Sequence, residues 1–195
     1  MRSPLDGADG PITVEIKTNG TEVPDTTELL SVHIEAETGA RAKATLLLAD
    51  GDLATGTFPD TDGPNFLPGA NVDVALGYGA KNKAVFEGTI LSQRQMISRA
   101  SGGQLELACE GVLAGSSEGL WMTMGEEIIE IDAITADNGI EGWVSCPGVV
   151  QALDTELAIK EVGERFSGLY QVTGVRHHVE AGDWTTWLRF VTKQA

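Results

Sequence analysis

Long hydrophobic runs are missing from this chain: nothing approaches the ~20 consecutive apolar residues of a membrane-spanning helix, and no membrane partner is expected. Cysteine is scarce, two in 195 residues, so no disulfide framework can carry the fold. Cys109 and Cys146 sit in the apolar contexts Leu-Ala-Cys and Val-Ser-Cys and read as buried free thiols, a bridge between the two being the alternative. Positive charge is scarce too. Thirteen Lys and Arg against 29 Asp and Glu leave a net charge of −16. Specific nucleic-acid binding is thereby disfavoured, because that affinity comes from cations neutralising phosphates. The excess acid serves either as a solubility surface or as a wall past which other molecules slide without sticking. Residues 1–10 lack the apolar core of a signal peptide, so nothing directs the chain to a secretory route. That polar arm is expected to be flexible.

Signatures of catalysis and of cofactor binding are equally thin. His177 and His178 are adjacent, so on a strand they point to opposite faces and cannot readily chelate one metal. Asp60-Thr61-Asp62-Gly63 begins like a calcium loop, but its twelfth position is Asn71 rather than an acid. Residues 111–119 hold glycines and serines without the lysine of a phosphate-binding loop. Ser167 lies in Phe-Ser-Gly, outside the Gly-x-Ser-x-Gly elbow of a hydrolase. No catalytic, cofactor or metal residue is assigned, and the chain is not expected to be an enzyme.

Glycine and two-residue alternation, by contrast, are abundant. Twenty-four glycines and few helical periods point to a turn-rich, mainly β protein. Ile12, Val14 and Ile16 alternate with polar residues up to Asn19-Gly20, a strong turn signal. Residues 30–37 and 42–48 form a long hairpin about Gly39. One face is apolar (Val32, Ile34, Ala44, Leu46, Leu48); the wet face carries His33, Glu35, Glu37 and Lys43. Such a hairpin needs a further sheet to cover its apolar face. A shorter, more acidic hairpin spans Ile128 to Cys146, with Ile129, Ile131 and Val144 inward and Glu130 and Asp132 on the wet side. A helix over 125–134 fits the same spacing almost as well.

Residues 155–190 repeat the order of features in residues 72–107. In each copy an alternating strand leads to a Gly turn, then Phe-x-Gly, a long strand, a Gly-containing turn and a returning strand. A repeat of that length is a whole supersecondary unit. The expected organisation is a first β-barrel over 11–110, a linker at 111–120 and a second antiparallel β-barrel over 121–193, related by an internal pseudo-repeat. Phe58 and Phe66 should anchor the 50–71 loop and, with Trp184 and Trp187, are candidates for a subunit interface, where aromatics are enriched. Purely local packing is the alternative for the two tryptophans.

Several of these residues carry a family resemblance. Asp50-Gly51-Asp52 after an apolar strand, Phe66-Leu67-Pro68-Gly69, Gly77-Tyr78 and Phe86-Glu87-Gly88 resemble the first domain of contractile-tail hub proteins. That family includes the phage late control protein D type and the VgrG-like spike proteins of type VI and extracellular injection systems. Val172-Thr173-Gly174-Val175-Arg176-His177 and Trp184-Thr185-Thr186 are similar to the close of the same module. The resemblance implies two tail-tube-type barrels per chain and a homotrimer whose six barrels form a pseudo-sixfold ring. That ring would join a hexameric tail-tube protein on one side to a threefold spike or needle on the other. His33, Glu35, Glu37, Lys43, Glu130 and Asp132 would then line a central channel. The junctions near 111–120 and 147–152 are short for the family and no spike follows Ala195, so a separate spike subunit is expected. The protein would sit in the bacterial cytoplasm during assembly and afterwards in the phage tail or injection particle. A standalone double-barrel binding module, recruiting a ligand through its 50–71 loop, is the alternative.

Overall fold

The computed structural model describes residues 1–24 and 26–193. In chain order the first half holds β1 (Ile12–Thr18), β2 (Thr21–Glu22), β3 (Glu28–Glu37), β4 (Ala42–Ala49), the short helix α1 (Pro59–Asp62), β5 (Asn71–Tyr78), β6 (Lys83–Ser98) and β7 (Gly102–Leu113). The second half holds β8 (Leu120–Thr123), β9 (Glu130–Ala136), β10 (Gly139–Pro147), β11 (Glu156–Lys160), β12 (Gly168–Glu180) and β13 (Asp183–Thr192). Alternation drives these strands: in β4, for example, Ala42, Ala44, Leu46 and Leu48 are buried while the residues between them face outward. At Asn19-Gly20 both residues adopt positive φ (49° and 78°), the backbone twist that matches a tight hairpin, and β1 turns into β2 there.

The fold is mainly β and, apart from one strand pair, antiparallel. Among the described residues all thirteen strands join one sheet. Its first part runs β1-β5-β6-β7-β4-β3 and its second part β8-β11-β12-β13-β10-β9, so the same spatial order occurs twice. The two long hairpins even share an irregularity: β6 bulges between Ile90 and Ser92, and β12 between Val172 and Gly174. One difference separates the copies, since β1 lies antiparallel to β5 whereas β8 lies parallel to β11.

Two apolar cores lie against this sheet. The first includes Val32, Ile34, Leu46, Phe66, Val74 and Phe86; the second includes Met122, Val144, Ile159, Val172, Leu188 and Phe190. The halves are not independent. Strand β3 pairs with β12 over seven positions, from Glu37 opposite Gly174 to Ser31 opposite Glu180. Val150, Val179 and Trp184 of the second half pack into the first core.

For residues 125–134 the hairpin reading holds and its helical alternative does not, since their second half is strand β9, paired with β10. Other expectations need correction. Ile129 is not a core residue but 59% exposed, because it precedes β9 and escapes its alternation. The irregular junction is shorter than 111–120: β7 continues to Leu113 and β8 begins at Leu120. The 1–10 arm is fastened rather than loose. Arg2 donates its amide to the Gly119 carbonyl and accepts from the Trp121 amide, both at 3.0 Å, adding a rung beside β8. The Ser3 hydroxyl donates to the buried Glu127 carboxylate at 2.9 Å, and that carboxylate also accepts from the Thr123 amide at 2.9 Å.

Asp50 explains how the long 50–71 segment stays closed. Its buried carboxylate accepts from the amides of Asp60 (3.0 Å) and Thr61 (2.9 Å) and from the Thr61 hydroxyl (2.5 Å). A carboxylate at free helical N–H groups is a charge-assisted anchor, here supplied from outside α1 because the flanking Phe58 offers no cap. Asp50→Ala should therefore cost about 1–3 kcal/mol in urea titration, with Asp50→Asn recovering part of it. Unchanged stability in the alanine variant would remove this anchoring role.

Candidate functional site

Residues paired directly across neighbouring strands lie on the same side of a sheet. That rule places all six acidic, basic and histidine positions named for the channel. One row reads Glu110, Lys43, Glu35, Arg176, Trp187, Ser145, Glu130 across β7, β4, β3, β12, β13, β10 and β9. A second reads Thr45, His33, His178, Thr185. A third reads Glu37, Gly174, Arg189, Trp143, Asp132. His33, Glu35, Glu37, Lys43, Glu130 and Asp132 thus share one polar face that crosses from the first half into the second without a break.

The centre of that face, where β3 meets β12, is laced with opposite charges. Glu35 sits 3.9 Å from Arg176 and 3.8 Å from the His33 ring nitrogen. Arg189 lies between Glu37 (3.7 Å) and Glu141 (3.6 Å). The Arg176 guanidinium lies 4.3 Å from the centre of the Trp143 ring, a cation–π contact. His33 and His178 meet edge to face, 6.0 Å between centroids. These groups are all two-fifths or more exposed, or nearly so, and such pairs add little to stability. Their consequence is to neutralise the acid locally, leaving few cations on the face unpaired.

Arg189, Glu141 and Trp143 were not singled out from the sequence, and Arg176 and His178 were named there without a place on this face. For Arg176 and His178 the signal was there, since they alternate with buried Val175, His177 and Val179 on one strand. The proposed interface aromatics divide. Phe66 (0% exposed) and Trp184 (5%) are buried inside the chain, so neither can be offered to a neighbouring subunit. Trp184 stacks on Tyr78 with centroids 5.3 Å apart, which makes it a contact between the chain's own halves. Phe58 is half-buried against Gly51 and Gly103 of its own loop region. Trp187 is half-buried on the polar face, paired with Arg176 and Ser145.

Behind that face His177 is fully enclosed. Thr186 gives its hydroxyl hydrogen to the Val149 carbonyl (3.2 Å) and accepts from the Val149 amide (3.0 Å). His177 Nδ1 lies 3.0 Å from the same hydroxyl oxygen, so it is the imidazole that donates. Burial, with His33 as a second cause, pushes the His177 pKa down to about 3. Burial likewise raises the Cys109 thiol to about 12 and the Cys146 thiol further, so both are inert.

Three solved structures share this fold. A tail protein from Neisseria meningitidis MC58 superposes with a TM-score of 0.68 at 10% identity, covering 95% of this chain and 97% of that one. The 43 kDa tail protein of prophage MuSo2 from Shewanella oneidensis gives 0.65 at 6% identity, covering 94% and 97%. The E. coli c3393 protein is described as a type VI secretion component similar to the T4 tail proteins gp27 and gp5. It gives 0.66 at 8% identity, covering 92% of this chain and 77% of its own. No curated protein matches the sequence. A family model described as the Alg8 N-terminal domain matches residues 8–114, more than half of the sequence, and the chain belongs to that family.

Proposed function

We propose that this protein is a structural hub of a phage tail or contractile injection system. Three copies close a pseudo-sixfold ring that adapts a hexameric tail tube to a threefold spike. Each half acts as one tail-tube-type barrel, and the shared polar face lines the channel. The observation that carries this reading is the continuous polar face built over a strand order that occurs twice. A duplicated unit with one common face is what a threefold particle needs to present six near-equivalent surfaces to a sixfold tube. The fold shared with tail proteins supports the same role. No reaction is assigned; the partners are two further copies, the tube protein and a separate spike.

Charge sets the conditions for assembly. Three chains at −16 carry −48 together (3 × −16), so closing the ring works against self-repulsion that salt screens. Native mass measurement should show a three-chain particle whose share rises between about 0.05 and 0.5 M salt, as the Debye length falls. A monomer at every salt and protein concentration would favour the standalone binding module instead.

A further inference from the structure

The internal seam between the halves supplies a template for the contact between copies. In the first half, Ser92, Ala108, Thr45 and His33 follow one another across β6, β7, β4 and β3. In the second half, Gly174, Arg189, Trp143 and Asp132 do so across β12, β13, β10 and β9. Ser92 and Gly174 each stand directly after the bulge of their strand. Matching the rows there makes Ser92–Ser98 the counterpart of Gly174–Glu180, and Glu130–Ala136 the counterpart of Ser31–Glu37.

Within the chain, Gly174–Glu180 hold Ser31–Glu37 along their outer edge. Their counterparts have open edges. β5 pairs with β6 as far as Thr89, with Ile90 bonded to Gly69 and Ala70 just beyond it, and among the described residues β9 ends the sheet with β10 as its sole neighbour. Both open edges are seven residues long, the length of the internal seam. Both carry apolar side chains in water: Ile97 is 54% exposed on β6 and Ile134 is 61% exposed on β9. An open strand edge with exposed apolar residues is ordinarily blunted or covered.

We infer that β9 of one copy adds as an antiparallel strand to the 92–98 edge of β6 in the next copy, in the register of the β3–β12 seam. This rests on the ring reading above and names the surface that closes it. The register is determined by the template. Val32 opposite Val179 becomes Ile131 opposite Ile97, which buries an isoleucine that now faces solvent. Glu35 opposite Arg176 becomes Ile134 opposite Arg94, whose aliphatic stem covers the exposed isoleucine while its guanidinium, 3.7 Å from Glu106 on β7, gains Asp132 as a diagonal neighbour. His33 opposite His178 becomes Asp132 opposite Met96. The contact is heterologous, one edge meeting a different edge, and it closes the three-chain ring when each step turns by a third of a circle.

Cross-linking tests this. Asp132 is exposed and Met96 half-buried, both on the polar face, whereas the native Cys109 and Cys146 are buried and do not compete. The chain carrying Met96→Cys with Asp132→Cys, oxidised at high concentration, should give a covalent closed three-chain species. Its yield should exceed that of a Met96→Cys with Thr135→Cys control at least about tenfold, because Thr135 points to the opposite face. Mixing the two single variants should give 1:1 dimers and nothing longer. Equal cross-linking of either single variant with itself would overturn the head-to-tail seam. A three-chain particle by mass with no disulfide above the control would overturn the seam and leave the ring standing. Open covalent chains of mixed length would uphold the seam and sink the three-chain ring. A monomer without cross-links at high concentration would overturn both.

Discussion

Trp184→Ala is expected to remove about 3–5 kcal/mol of stability, the usual cost of emptying a large aromatic site. That is a sizeable part of the ~5–15 kcal/mol that holds a domain folded. The side chain belongs to β13 of the second half yet is buried in the first half's core, stacked on Tyr78. It also lies over Gly148, where even a Cβ would come within 1.9 Å of the indole. Because Trp184 joins the two cores, its loss should also uncouple them, and urea unfolding should change from one step to two. Tyr78→Ala should be non-additive with it, with a coupling of about 0.5–1.5 kcal/mol for an aromatic pair. A loss below about 1 kcal/mol in Trp184→Ala, with a single sharp transition retained, would show that the halves are held by the β3–β12 ladder alone.

The same residue shows where sequence reading stops. Alternation and turn glycines are local signals, and they sufficed to place the hairpins, the repeat and, within each hairpin, its polar positions on the wet side; that the two wet sides join into one face depends on the distant pairing of β3 with β12. Whether a strand tryptophan meets water or a second core depends on how the halves dock, which no local period records. Phe66 was ambiguous for the same reason, as an aromatic in a loop whose burial depends on the strands beneath it. The 1–10 arm looked loose because its fasteners are distant: Arg2 bonds near residues 119–121, and Ser3 reaches Glu127, 124 residues away. The parallel pairing of β8 with β11 is equally non-local, since four residues, Leu120–Thr123, give almost no period to read. Ile129 was misplaced by one position beyond a strand end, the least legible point of any element.

Acid should weaken the fold before the surface carboxylates are neutralised, and His177 is the group responsible. It is a base whose pKa in the folded chain lies far below its ordinary 6.5, at about 3, because burial disfavours the imidazolium. The unfolded chain therefore takes up this proton first. The contribution is fully present above pH 6.5 and is lost as the pH falls toward 3. Between pH 6.5 and 5 the loss is about 2 kcal/mol, and by pH 3 it approaches ~5 kcal/mol, at 1.36 kcal/mol per pH unit. His177→Phe removes the titration while leaving Thr186 bonded to both the amide and the carbonyl of Val149. The difference in stability between the two proteins should shift by about one proton's slope over pH 5–6.5. Because each carries the same surface charge, relief of the −16 self-repulsion on acidification cancels in that difference. Parallel stability curves for the two proteins across this window would mean that His177 accepts its proton without unfolding, through an opening that lets water reach Nε2.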